Sequence, residues 1–186
     1  MADHLCPVWV GHLLACPARK LLQNPRKILG PYVEEGMTVL DVGCAMGFFS
    51  LPAAELVGAE GKVVCVDLQE KMLRSLGRRA RKAGLAERIE ARLCRRDSLD
   101  LGDLAQTIDL GLLFAVVHEV PEPARLFSQI HEALKPTGKV LVAEPTGHVR
   151  RRDFEASVSM AEQSGFALLE SLRVAQSHAV LLAKKR

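Results

Sequence analysis

Residues 39–51 read VLDVGCAMGFFSL, an apolar run that reaches Asp41 and then passes through Gly43, Cys44, Ala45 and Gly47. A strand ending in an aspartate and leading through small residues into a helix, here from about Phe48, sets backbone N–H groups and a positive helix end beside whatever binds there. Glycines 43 and 47 allow a sharp turn and a close approach, because no Cβ stands in the way. By itself the pattern fits a cofactor loop and a plain strand-to-helix turn equally well. Two more acids occupy comparable places. Asp67 closes VVCVD about twenty residues further on, where a carboxylate can accept bonds from both hydroxyls of a ribose or can cap the helix starting near Gln69. Asp97 and Ser98 follow the third apolar run in LCRRDSLDL. There a carboxylate can take the exocyclic amine of an adenine or merely hold a turn. His118, in VVHEVPEP, has an ordinary pKa near 6.5 that suits proton transfer at neutral pH.

These side chains need a scaffold that brings strand ends together, and the pattern supplies one. Apolar runs TVLDV (38–42), KVVCVD (62–67), RIEARLC (88–94), IDLGLLF (108–114) and KVLVAE (139–144) alternate with helical periods. All but the third are nearly continuous apolar stretches, as in parallel strands buried on both faces. Met72, Leu76, Ala80 and Ala83 form one helical stripe and Leu126, Ile130 and Leu134 another, so two crossover helices are predicted. Pro136 in LKPTGK stops the second of these and Thr-Gly turns into the next strand. Asp153 is expected to cap a further helix bearing Phe154, Val158 and Ala161, which Gly165 ends. The runs at 166–175 and 178–185 are separated only by Gln176 and Ser177. A parallel crossover needs about a dozen residues, so these two strands must form an antiparallel hairpin.

Taken together, VLDVGCAMG, VVCVD, CRRDSL, DLGLLFAVVHEVPEP, LKPTGKVLVAEP and the closing hairpin resemble the class I S-adenosylmethionine-dependent methyltransferases, in a small single-domain form of the type 11 kind. The resemblance spans about residues 33 to 184. It implies an α/β, Rossmann-like, doubly wound sheet of seven strands in the order 3-2-1-4-5-7-6, with strand seven antiparallel and helices on both faces. It also implies S-adenosylmethionine as methyl donor, S-adenosylhomocysteine as product and no metal. Carried onto this chain, the family's acidic-x-Gly-x-Gly-x-Gly loop falls on Asp41, Gly43, Ala45 and Gly47, with Cys44 inside it. Ala45 replaces the central glycine, a mild departure of one methyl. Asp67 matches the ribose-binding acid, Leu68 and Met72 the adenine lining, Asp97 and Ser98 the adenine edge, and Phe114 with Ala115 the segment under the donor methyl.

The acceptor pocket is expected at the ends of strands four and five, among His118, Glu119, Glu144, Thr146 and His148, with His118 as base or as a packing histidine. Residues 1–32 hold the only Trp, Trp9, and the only Tyr. They read as a helical lid over the catalytic core of 33–186, or as a helix packed on the sheet edge, within one domain. Cys6 and Cys16 raise arsenite as an acceptor, although the flanking sequence of arsenic-methylating relatives is missing. Five single cysteines without a C-x-x-C pair argue against a disulfide framework or zinc site. No stretch reaches the roughly 20 apolar residues of a bilayer span, and the N-terminus lacks a basic start, so a cytoplasmic enzyme, monomer or homodimer, is expected. A net charge of +3 is too small to demand a nucleic-acid partner. Arg150, Arg151 and Arg152 stand near the expected pocket, but VVHEV occupies the place of the signature for amino-group methylation of nucleic acids. The expected acceptor is therefore a small molecule attacking through oxygen, sulfur or carbon. An RNA or protein methyltransferase, or a non-catalytic scaffold, is the alternative.

Overall fold

The computed structural model describes residues 23–185. Trp9, Cys6, Cys16 and most of the expected lid lie outside the described residues. From Gln23 on, a short helix α1 (Pro25–Leu29) is capped by Asn24, whose side chain accepts from the N–H groups of Arg26 and Lys27. There follow β1 (Thr38–Val42), α2 (Ser50–Leu56), β2 (Lys62–Asp67), α3 (Glu70–Lys82), β3 (Ile89–Leu93), β4 (Ile108–Phe114), α4 (Pro123–Ala133), β5 (Leu134–Pro145), α5 (Arg151–Gln163), β6 (Phe166–Val174) and β7 (Ser177–Lys184). The strands form one seven-stranded sheet ordered β3-β2-β1-β4-β5-β7-β6. β1 pairs in parallel with β2 and β4, and β5 pairs in parallel with β4 but antiparallel with β7.

The central strands of the sheet are buried on both faces. Val39, Leu40, Val63, Val64, Leu112, Leu113, Val140 and Leu141 are wholly buried, alternate residues facing opposite sides. One cluster, with Leu40, Leu113, Phe127, Ile130 and Phe166, lies under α4 and α5; the other, with Val39, Phe49, Ala53, Leu76 and Leu112, lies under α2 and α3. Burying a Leu or Phe side chain stabilises by about 1.5–3 kcal/mol, so a charge at any of these strand positions would disrupt the sheet. Strand β3 is the exception, half-exposed as its mixed sequence suggests, and its Arg92 is bound by Asp103 through two bonds of 2.7 Å.

Four local expectations are corrected. Helix α4 ends at Ala133 and Leu134 is already extended, the residue before Lys135-Pro136 having turned away from helix before the ring arrives. Leu134 pairs with Ile108, and the register then shifts so that Leu110 meets Lys139; Pro136 and Gly138 sit in that irregularity instead of in a separate turn. Helix α5 starts two residues before Asp153, whose carboxylate pairs with Arg150 at 2.7 Å instead of capping. The final hairpin turns at Ala175 and Gln176, where Gln176 takes φ +56°, one residue earlier than the spacing suggested.

Candidate active site

The C-terminal ends of β1, β2, β4 and β5 converge, and open α/β sheets bind ligands at such a crevice. On one side the loop after β1 folds against β2: the N–H groups of Gly43 and Cys44 both donate to the Val66 carbonyl, at 2.8 and 3.1 Å. Gly47 has φ +82°, and a Cβ there would come within 2.3 Å of Leu76 Cδ1 on α3, so the loop can lie this close to the helix only as glycine. Ala45 also adopts a left-handed conformation, φ +47°. The alanine is therefore not the mild departure anticipated, because the methyl opposes that backbone conformation by about 1 kcal/mol. The Ala45 N–H donates to Asp67 Oδ2 at 2.9 Å, which holds the strained residue in place.

Asp41 is buried beneath the loop, only 3 % exposed, and accepts a 2.5 Å bond from the Ser50 hydroxyl at the start of α2. Burial pushes its carboxyl up to about 7, although Ser50 pulls the other way and Asp67 adds repulsion. Asp67 is likewise raised by burial, partly offset by N–H bonds from Gln69 and Ala45. Asp67 therefore ties the residue before α3 to the loop, and it does not cap the helix, whose N-cap Gln69 has no side-chain cap bond. Arg79 reaches from α3 to the Met46 carbonyl and braces the loop from outside. Met72 is buried and Leu68 exposed, while Asp97 is exposed and Ser98 bonds Asp100 at 2.8 Å in the turn after β3.

Across the crevice Phe114 ends β4 with its ring stacked on Phe49, centroids 3.7 Å apart and planes at 16°. Ala115 follows at φ +57°, its N–H on the Ala143 carbonyl. The chain then makes a tight 3-10 turn, Val117–Glu119, which presents His118. Glu144, 1 % exposed at the end of β5, accepts from the N–H groups of Val116 (3.0 Å) and Val117 (2.9 Å) and bonds His118 Nδ1. Its carboxylate holds the imidazole above the ordinary histidine range, against the opposing effect of burial. His148 lies 6.3 Å from His118 between ring centroids, and burial raises Glu119. Thr146 is drawn elsewhere, to the Gln176 carbonyl. Arg150 and Arg151 pair with Asp153 and Glu155, which leaves a largely neutralised helix face.

Sequence reasoning overlooked Ser50, Arg79, Phe49 and the full engagement of Glu144. Only the fold could reveal them, since each partner lies on another element. Chemically, the loop side offers two buried carboxylates with neighbouring small-residue backbone. The other side offers one titratable ring held by a buried acid.

A family model described as a methyltransferase domain matches residues 33–179. Among curated proteins, an arsenite methyltransferase of Halobacterium salinarum is 32% identical over 121 residues, covering 65% of this chain and 30% of that protein. A demethylmenaquinone methyltransferase of Lactobacillus johnsonii is 28% identical over 127 residues, 67% of this chain and 51% of that one. The chain thus spans about half the length, or less, of the curated relatives it matches. A solved S-adenosylmethionine-dependent methyltransferase of Aquifex aeolicus superposes with TM-score 0.85 at 25% identity, covering 96% of this chain and 98% of its own.

Proposed function

The chain belongs to the methyltransferase domain family, and on that premise we propose that it moves a methyl group from S-adenosylmethionine to a small molecule, releasing S-adenosylhomocysteine. The observation that carries this reading is the pair of buried carboxylates, Asp41 and Asp67, at adjacent strand ends under a small-residue loop. When bound, S-adenosylmethionine supplies a methyl carbon on a positively charged sulfur. In this reading Gly43, Cys44, Ala45 and Gly47 lie along its methionine end, Asp67 takes the ribose hydroxyls, Leu68 and Met72 line the adenine, Asp97 and Ser98 meet its edge, and Phe114 and Ala115 underlie the methyl. The protein's share of catalysis is to hold donor and nucleophile close, aligned and dry, an advantage of up to about 7–11 kcal/mol in well-oriented systems. His118 accepts or steers the acceptor's proton.

Arsenite and demethylmenaquinone, the substrates in the relatives' names, bracket the acceptor chemistry. The described cysteines favour the second kind. Capturing arsenic takes accessible thiolates, whereas Cys44 and Cys65 are buried and Cys94 is pushed up to about 11 by burial. The acceptor we propose is a small organic molecule with an oxygen, sulfur or carbon nucleophile, and the enzyme a cytoplasmic one; Cys6 and Cys16 lie outside the described residues. Calorimetry with S-adenosylmethionine and with NAD tests the donor: no binding of the former sinks the proposal. Labelled-methyl transfer to reduced demethylmenaquinone, compared with arsenite, then tests the acceptor class.

A further inference from the structure

Glu144 is a buried acid with both oxygens engaged, and its partners all belong to the segment after β4. Oε1 accepts the successive N–H groups of Val116 and Val117, fixing the start of the turn that carries His118, while Oε2 faces His118 Nδ1. The same segment touches the donor side, since a Cβ at Gly43 would meet Val116 Cγ2 at 2.9 Å. The placement of His118 therefore depends on a residue 26 positions later in the chain, at the end of a different strand.

We propose that Glu144 is the positioning residue of a Glu144–His118 dyad: it holds the proton on Nδ1 and so leaves Nε2 as the ring nitrogen that takes a proton from the acceptor. This deepens the methyl-transfer reading and rests on it for its purpose, not for its geometry. In the step it serves, the acceptor's X–H bond breaks and the proton passes to Nε2. The electron pair left on X forms the bond to the methyl carbon as the carbon–sulfur pair departs on sulfur. The imidazolium so formed is stabilised by the Glu144 carboxylate, the role a buried acid plays behind a histidine base. Two other groups lie by the same ring. Glu119 on its own turn favours the charged form, against burial, and the His148 ring centroid is 6.3 Å away.

Glu144→Gln separates this role from mere support of the turn. The glutamine carbonyl still accepts from Val116 and Val117, but its NH2 now faces Nδ1 and favours the tautomer with hydrogen on Nε2. The ¹⁵N resonances of the His118 ring, assigned by their loss in His118→Gln, report both midpoint and tautomer without any acceptor. Expected in the wild type are a midpoint above the ordinary ~6.5 and a neutral form protonated on Nδ1. In Glu144→Gln the midpoint should fall by about one unit or more and the proton should move to Nε2. An unchanged midpoint and tautomer overturns the dyad. Should the variant fail to fold, the wild type alone decides: a midpoint at or below ~6.5, or a neutral ring protonated on Nε2, overturns it equally. A wild type that shows the expected titration but binds no S-adenosylmethionine sinks the methyl-transfer reading and leaves the dyad standing.

Discussion

The two sides of the crevice handle buried acids differently. On the β1–β2 side, Asp41 and Asp67 receive, among the described residues, a hydroxyl and backbone N–H groups, and both are raised by burial. On the β4–β5 side, Glu144 has two N–H donors and an imidazole that can carry the compensating charge. The first side gives its acids neutral donors; the second pairs its acid with a ring that can carry charge. If, as we propose, the donor is S-adenosylmethionine, its positive sulfur near Asp41 and Asp67 offsets part of their desolvation cost.

The contrast can be broken from either side. The largest effect is expected at His118: His118→Gln should lower kcat by about 10²-fold or more, the usual share of a general base. Donor affinity measured by calorimetry should be unchanged, and a parallel loss of both would erase the division between the sides. Next, Asp67→Ala removes the acceptor for the Ala45 and Gln69 N–H groups together with the proposed ribose contact. Bonds to charged groups are worth about 1.5–3 kcal/mol, so donor affinity should drop about 10- to 100-fold. Unaltered affinity would remove Asp67 from the donor site.

A pH series sharpens the comparison. Asp41 is raised to about 7, so the folded state holds a proton that the unfolded chain has lost, and stability should decline as pH climbs from about 4 to about 7. His118, also raised, acts in the same direction: its pairing with Glu144 contributes fully below the ordinary histidine range and is lost as pH passes its folded value. Melting curves of Asp41→Asn should be flatter below pH 7 and should keep the histidine-dependent decline; a variant with the wild-type slope would show that Asp41 is ionised throughout. The smallest effect belongs to Ala45→Gly. Relief of the left-handed conformation outweighs the added freedom of the unfolded chain by less than about 1 kcal/mol, read as a rise in Tm of about 1–3 °C. A fall in Tm would mean that the Ala45 methyl makes contacts worth more than its strain.

Much of the β1–β2 side was legible from residue order. Asp41, Gly43, Gly47 and Asp67 lie in a single strand-loop-helix-strand unit, where short connections and the right-handed crossover leave few placements. The strand order was legible too, but only through family resemblance: the two-residue link demanded a hairpin and could not say that β7 inserts between β5 and β6. The cap of α5 was misplaced by three residues, because Asp153 competes between capping and pairing with Arg150 and sequence cannot weigh the two. Ala45 looked harmless as a letter and is strained as a backbone, since φ is not written in residue type.

What the sequence determined by itself is the doubly buried sheet and the small-residue loop, since continuous apolar runs and glycine spacing act over a few neighbouring residues. What only the tertiary structure decided is the company each acid keeps. Ser50 beneath Asp41, Arg79 on the loop, and Glu144 behind His118 come from elements that meet only once the sheet has closed. Burial and partner set the charge of these groups, and both are properties of the packed molecule.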